Sequence, residues 1–227
     1  DKIIGIAFQA LDESQNIAYA IALPIIQHFL KDLAAARPGH FPSLGVVWQR
    51  LESDSHRRSL GLKRNEGGSL VVAVAFEGSA WGILQPGDVL LAIDGEVIGT
   101  DGTVLLRAGE LVDHSYRITQ KHIGAPVTIS VLRDKKRFDV VVPLKGPSLL
   151  VPEDQYDIKP TYFVFGGLLF APLSRDYLKS WGNEWWKSAP NELVAIYENH
   201  VRTAERQDVV ILQKVLADKV NQGYHEY

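Results

Sequence analysis

Seven histidines, His28, His40, His56, His114, His122, His200 and His225, are the side chains in this sequence best suited to proton transfer or metal ligation. Their spacing argues against a shared site. His114 and His122 come nearest to a ligand pair, two turns apart on a predicted helix, where the surface is the simpler place for both. No His-Glu-x-x-His occurs, which removes the common helical zinc-protease arrangement. No Gly-x-Ser-x-Gly elbow occurs either. The absence of Cys removes a thiol nucleophile, a zinc–thiolate site and a disulfide together. Asp94–Gly102 holds acids and glycines without the alternating acids of a calcium loop. No Gly-rich loop leads into Lys-Ser/Thr to cradle a phosphate. The expectation is a chain with no catalytic residues, no metal ligands and no cofactor of its own.

The totals point the same way. The chain has 227 residues, 46% hydrophobic and 22% charged, with a net charge of −3. That length suits one large domain or two ordinary ones. A charge so near balance offers nothing to a nucleic acid or an anionic membrane. Arg57-Arg58 and Lys135-Lys136-Arg137 read as solvated faces. No apolar run reaches the roughly 20 residues that span a bilayer, because Pro, Gly or polar residues interrupt Ile17–Ile26 and Tyr162–Leu173. No Lys/Arg-led signal segment opens the chain. A sequence without Met that starts in mid-strand at Asp1 is expected to be a fragment of something longer.

Three segments follow one another. In the first, apolar runs at Ile3–Phe8 and Ile17–Ile21 flank a polar turn, and Pro24 opens a helix with apolar positions 25, 26, 29, 30 and 33. Two strands and a helix are too little for a core, so this segment must dock on something larger. Ala34–His40 reads as a linker. The second segment, Phe41–Leu144, begins with a strand at Leu44–Trp48 and a short helix at Ser53–Leu60. Strands follow at Ser69–Phe76 and Val89–Ile93, the latter closed by the reverse turn Asp94-Gly95. A helix is expected over Asp113–His122, capped by Asp113 and ended by Gly124, then strands at Val127–Arg133 and Arg137–Val142. Lys145–Pro160 reads as a second linker. The third segment opens with Thr161–Phe170, interrupted by Gly166-Gly167, then helices at Leu173–Trp181 and Asn191–His200 and a strand at Gln207–Leu216. Trp181, Trp185 and Trp186 belong to a core or an interface, with the interface favoured.

At Gly68-Ser69-Leu70-Val71, Gly78-Ser79-Ala80 and Leu84-Gln85-Pro86-Gly87-Asp88-Val89-Leu90-Leu91-Ala92-Ile93-Asp94-Gly95 the sequence resembles the PDZ domain of HtrA/Deg serine proteases. Gly5–Gln9 and Asn16–Ile21 are similar to the last strands of their trypsin-like domain, with the exit helix after them. Gly167–Leu173, Trp185–Leu193 and Val215–Asp218 look like a second PDZ of the plant-like members. Ala18 and Ala22 depart from the family's Gly and Pro, and its Gly-Asn-Ser-Gly-Gly-Pro nucleophile loop is absent. The resemblance implies a mainly β fold with α: partly open PDZ-like barrels capped by helices, preceded by the end of a trypsin-like barrel. It divides the chain into residues 1–37, a PDZ domain at 41–147 and an incomplete PDZ-like domain at 157–227, where the last helix and strand are expected to be missing.

A PDZ domain adds a peptide strand to a sheet edge beside a helix and holds the terminal carboxylate on backbone amides. On that logic Gly67 and Gly68 are expected to form the anion-binding turn, and Ser69, Leu70, Val71 and Val72 the edge strand. Tyr116, Thr119 and Gln120 would form the opposing helical wall. Gly166, Gly167, Leu168, Leu169 and Phe170 repeat the pattern, with Phe170 narrowing the second groove. The same apolar residues would also suit any buried strand, and the glycines an ordinary turn. The partners implied are extended or C-terminal apolar peptides of unfolded proteins, and further copies of the chain in a trimer-based homo-oligomer. The family's compartments are the bacterial envelope and plant organelles. Two readings stand: the recognition arm of an ATP-independent serine endoprotease, or a binding and assembly module without proteolysis.

Overall fold

The computed structural model describes residues 4–10, 18–36, 40–216, 219–221 and 223. The chain divides into two compact units, one from Asp1–Val72 and Gly78–Pro147, the other from Ala73–Glu77 and Ser148–Tyr227. Among the described residues no helix is long and apolar enough to cross a membrane.

The first unit opens with a hairpin, β1 (Gly5–Ala10) against β2 (Ala18–Ala22), and passes directly into α1 (Leu23–Ala34). Pro24 sits in the first turn of α1, where the missing N–H costs nothing. After β3 (Val46–Arg50) comes α2 (Asp54–Leu60). Ser53 caps α2 by accepting the His56 N–H, and Gly61 closes it in the left-handed conformation. Then follow β4 (Ser69–Val74), β5 (Val89–Ile93), β6 (Glu96–Val97), β7 (Thr103–Arg107) and β8 (Glu110–Asp113). The expected helix at Asp113–His122 shrinks to α3 (Ser115–Thr119). The β7–β8 hairpin takes Asp113 as the partner of Thr103, and the helix starts only beyond it. Asp113 still accepts the Ser115 N–H at 2.8 Å. Last come β9 (Pro126–Arg133) and β10 (Lys136–Pro143), paired along their whole length.

These strands form a sheet in the order β10-β9-β5-β4-β3, with β6 folded back on β5. Strand β5 is buried at four of its five positions, as its unbroken apolar sequence Val89–Ile93 requires. Asp94 and Gly95 both have positive φ, the geometry of the tight turn expected there. Leu51, Leu62, Val89 and Leu132 pack together at the centre of one core cluster.

One ion pair ties this sheet. Asp88 is fully buried, and its carboxylate accepts Arg133 Nε at 2.6 Å, Arg133 Nη2 at 2.7 Å and the Gln85 N–H at 2.9 Å. Arg133 also donates to the Ile83 carbonyl at 3.0 Å. The backbone next to Asp88 continues the ladder, with Val71 N–H to Asp88 O at 2.8 Å and Gly87 N–H to Val71 O at 2.9 Å. The turn at Leu84–Asp88, strand β4 and strand β9 are thereby fixed on one another.

The second unit carries a sheet in the order β11-β12-β13, from Phe163–Phe165, Leu168–Pro172 and Val210–Val215. Its helices are α4 (Arg175–Leu178), continued as 3-10 to Trp181, then α5 (Trp185–Ser188) and α6 (Asn191–Asn199). Leu173, Leu178, Trp185, Ala189 and Val194 form the core together with Leu150 and Val151. Those last two fall in the stretch expected to be a linker. Trp185 is core and Trp181 packs against it, whereas Trp186 is exposed. The tryptophans are therefore divided between core and surface.

Replacing Asp88 by Ala strands the Arg133 guanidinium and the Gln85 amide. The expected loss is about 3 kcal/mol of unfolding free energy, checked by urea denaturation of the two proteins.

Candidate peptide-binding site

The segment expected to supply the peptide-receiving edge does not lie at an edge. Strand β4 runs between β3 and β5 and so has a hydrogen-bonded neighbour on each side, with Ser69, Leu70 and Val71 bonded on the β5 side. Ser69 and Val71 are buried, Leu70 packs on the core and Val72 is half exposed. Gly67 and Gly68 serve close packing. A Cβ on Gly67 would lie 2.4 Å from the Gly99 carbonyl carbon, and one on Gly68 2.7 Å from a Val89 methyl. Gly68 also has a φ of +147° and donates its N–H to Gly99 O. The second expected groove fails for the same reason: Leu168, Leu169 and Phe170 lie on β12, paired with both β11 and β13. Gly166 and Gly167, both at positive φ, are the two central residues of the β11–β12 hairpin turn.

The sheet edge lies one strand further out. Among the described residues β3 is paired only with β4. Leu44, Val46 and Trp48 alternate towards one side, as strand geometry requires, and with His114, Ile118 and Thr119 they line a cavity of about 80 Å³. That volume holds a few waters or one aliphatic side chain. Trp48 meets His114 edge to face at 4.5 Å, and Gly102 leaves room for its ring.

The turn that leads into β3 is held from several directions. Ser43 donates its N–H to Lys145 O at 3.0 Å, and the Gly45 N–H reaches Ser43 Oγ at 3.1 Å. Buried Ser79 donates its hydroxyl to Ser43 O and accepts the Lys145 N–H at 2.7 Å. Ala80 N–H binds Leu44 O at 3.0 Å. Gly45 has a φ of +72° and passes within 3.2 Å, Cβ position to Cα, of Gly78. A glycine between apolar residues at the head of a strand was the available sequence signal for this turn.

Of the expected helical wall, Thr119 borders the β3 cavity. Tyr116 and Gln120 instead face α1, across a separate cavity of about 460 Å³ that Thr119 also lines. Helix α3 thus presents different residues to the strand and to α1.

A PDZ-domain family model matches residues 151–227. Protease Do-like 2, chloroplastic, of Arabidopsis thaliana is 33% identical over 228 residues, covering 99% of this chain and 37% of that protein. Putative protease Do-like 3, mitochondrial, of the same plant is 31% identical over 225 residues, with 99% and 38% covered. The chain is a PDZ region of the HtrA/Deg protease family. It spans about two fifths of the length of the curated relatives it matches. A solved structure of the HtrA-type protease AlgW with decapeptide, from this family, is 26% identical and covers 64% of this chain and 43% of that one. Its TM-score of 0.45 is too low to carry residues across.

In this HtrA/Deg region His114 is the titrating group of the groove. It is buried, and its Nδ1 lies 2.9 Å from Gly102 O. Burial holds its pKa below the usual 6.5, against the smaller upward pull of the Gly102 carbonyl and Asp113. On unfolding, the ring therefore binds protons more readily, so stability rises with pH. The contribution is fully present above 6.5 and is lost as the pH falls from there through the depressed folded value. The variant His114→Asn should flatten that part of the stability–pH curve, as measured by urea melts across pH 5 to 8. Gly68→Ala should cost about 2 kcal/mol of stability and leave the groove of the folded fraction intact, which thermal melts and peptide titration together would check.

Proposed function

We propose that this chain is the substrate-binding and regulatory arm of an ATP-independent serine endoprotease that acts on unfolded or damaged proteins. The observation that carries the reading is the open edge of β3 beside a pocket sized for one apolar side chain. An extended peptide can add to β3 as a further strand, with main-chain hydrogen bonds for affinity and the pocket for selectivity. The terminal side chain enters between Val46 and Ile118. The carboxylate would then lie by the Ser43–Gly45 turn, whose positive-φ glycine is of the kind that builds anion-binding concavities. Trp48 and His114 close the far end, which limits the pocket to a single residue.

The first segment supports a proteolytic context. In β1, β2 and α1 the residues Ile6, Tyr19, Ile25, Phe29 and Leu33 are exposed. An apolar face of that extent fits packing against the rest of a trypsin-like barrel, of which residues 1–37 are the last strands and exit helix. Hydrolysis would then reside in that barrel, working through Ser, His and Asp, within a trimer-based homo-oligomer.

The test is fluorescence polarisation with labelled peptides ending in Val or Leu, each with a free or an amidated terminus. We expect saturable binding that falls at least about tenfold on amidation. Thr119→Phe, which fills the pocket from a half-buried position, should weaken it by a similar factor. No binding of either peptide form would overturn the recognition role and leave an assembly module without proteolysis.

A further inference from the structure

Helix α1 is turned the unexpected way round. Its apolar residues Ile25, Phe29, Leu30 and Leu33 are exposed, while His28 and Asp32 are 9% and 3% accessible. Four residues apart, these two share one helical face. The side they bury meets His122, in the turn after α3.

The three side chains converge closely. Asp32 Oδ2 lies 3.0 Å from His28 Nε2, and Asp32 Oδ1 lies 2.6 Å from His122 Nδ1. The two imidazoles stack with centroids 4.2 Å apart. Despite these distances, neither His28 Nε2 nor His122 Nδ1 makes a hydrogen bond. Both atoms are buried. Burying two imidazole nitrogens without directed hydrogen bonds is costly, and native interiors rarely leave such groups unmatched. A cation between the two rings removes the cost by taking a lone pair from each nitrogen, with the Asp32 carboxylate beside them to balance its charge.

We propose that His28, Asp32 and His122 bind a divalent transition-metal ion of the zinc type. Imidazole nitrogens with one carboxylate suit zinc and the late first-row ions better than calcium or magnesium, which prefer oxygen alone. The ligand atoms all lie within 4.8 Å of one another. Zinc–nitrogen bonds of roughly 2.0–2.1 Å set tetrahedral ligand separations near 3.4 Å, so both ring nitrogens would draw back from the Asp32 oxygens by less than about 1 Å and turn towards a common point. Three protein ligands leave a position for water or an exogenous group. The adjoining cavity of about 460 Å³, lined by Ile25, Phe41 and Tyr116, gives the ion a way in. Lys31 lines the same cavity. The nearby Lys121 is held by Asp94 at 2.7 Å. The ion would staple α1 to the turn beyond α3, so metal occupancy would govern how firmly the first segment is held on the first PDZ unit.

The experiment is titration of the metal-free 227-residue chain with ZnCl2 by calorimetry, and with CoCl2 by visible absorption. We expect one equivalent to bind, with cobalt ligand-field bands. The melting temperature should rise by roughly 5–10 °C at a hundredfold excess over Kd. Asp32→Asn and His122→Asn should each weaken binding at least about a hundredfold, and His200→Ala should not change it. His122 is 27% exposed at the side chain, so its variant is the one to use if changes at Asp32 disturb folding, with circular dichroism as the check. Absence of stoichiometric binding, or binding that survives His122→Asn in a folded protein, overturns the proposal.

Discussion

The buried carboxylate of Asp88 is the constraint on which the first unit depends. Placed where no water reaches it, it must find its partners in the protein, and it finds them in the Arg133 guanidinium and the Gln85 amide. That requirement brings the Leu84–Asp88 turn against β9. The ladder from Gly87 and Asp88 to Val71 then carries β4 along with it. Once β4 is held against β5 on one side and β3 on the other, the edge on this side of the sheet is β3, with β10 at the far end.

The position of that edge decides what the unit can bind. A strand in mid-sheet has already spent its N–H and C=O groups on neighbours, whatever its side chains are. Strand β4 has the apolar alternation and the leading glycines of a receiving strand, yet it is closed. Strand β3 is shorter and more polar towards its end, but it has the open edge and the α3 side chains facing it. In the second unit the pair Gly166-Gly167 makes a hairpin turn, so the glycines that looked like an anion cradle reverse the chain and lay β11 on one side of β12, while β13 closes the other.

Helix α1 shows a similar inversion. Its periodicity announces an amphipathic helix correctly, and Pro24 marks its start. Which stripe is buried within the unit is a separate matter. The apolar stripe remains exposed while His28 and Asp32 turn inward onto His122. Histidines 94 positions apart in sequence (122 − 28) thereby come into ring contact. No spacing rule could pair them, because metal and hydrogen-bond motifs legible in sequence are those carried on one helix or one loop.

The sequence by itself determined the strands outside residues 96–113, most turns, the family and the absence of a nucleophile loop, because each rests on neighbours within a few residues. Pro-Gly-Asp, Asp-Gly and the unbroken Val89–Ile93 run act locally, through φ preferences and burial on both faces. Helix α3 was overextended because Asp113 was already committed to pairing with Thr103, a contact ten residues away. The groove and the histidine cluster were decided by tertiary structure alone. Strand order assigns the edge, and whether a backbone amide is open or a buried nitrogen unmatched depends on what packs beside it, which no local pattern encodes.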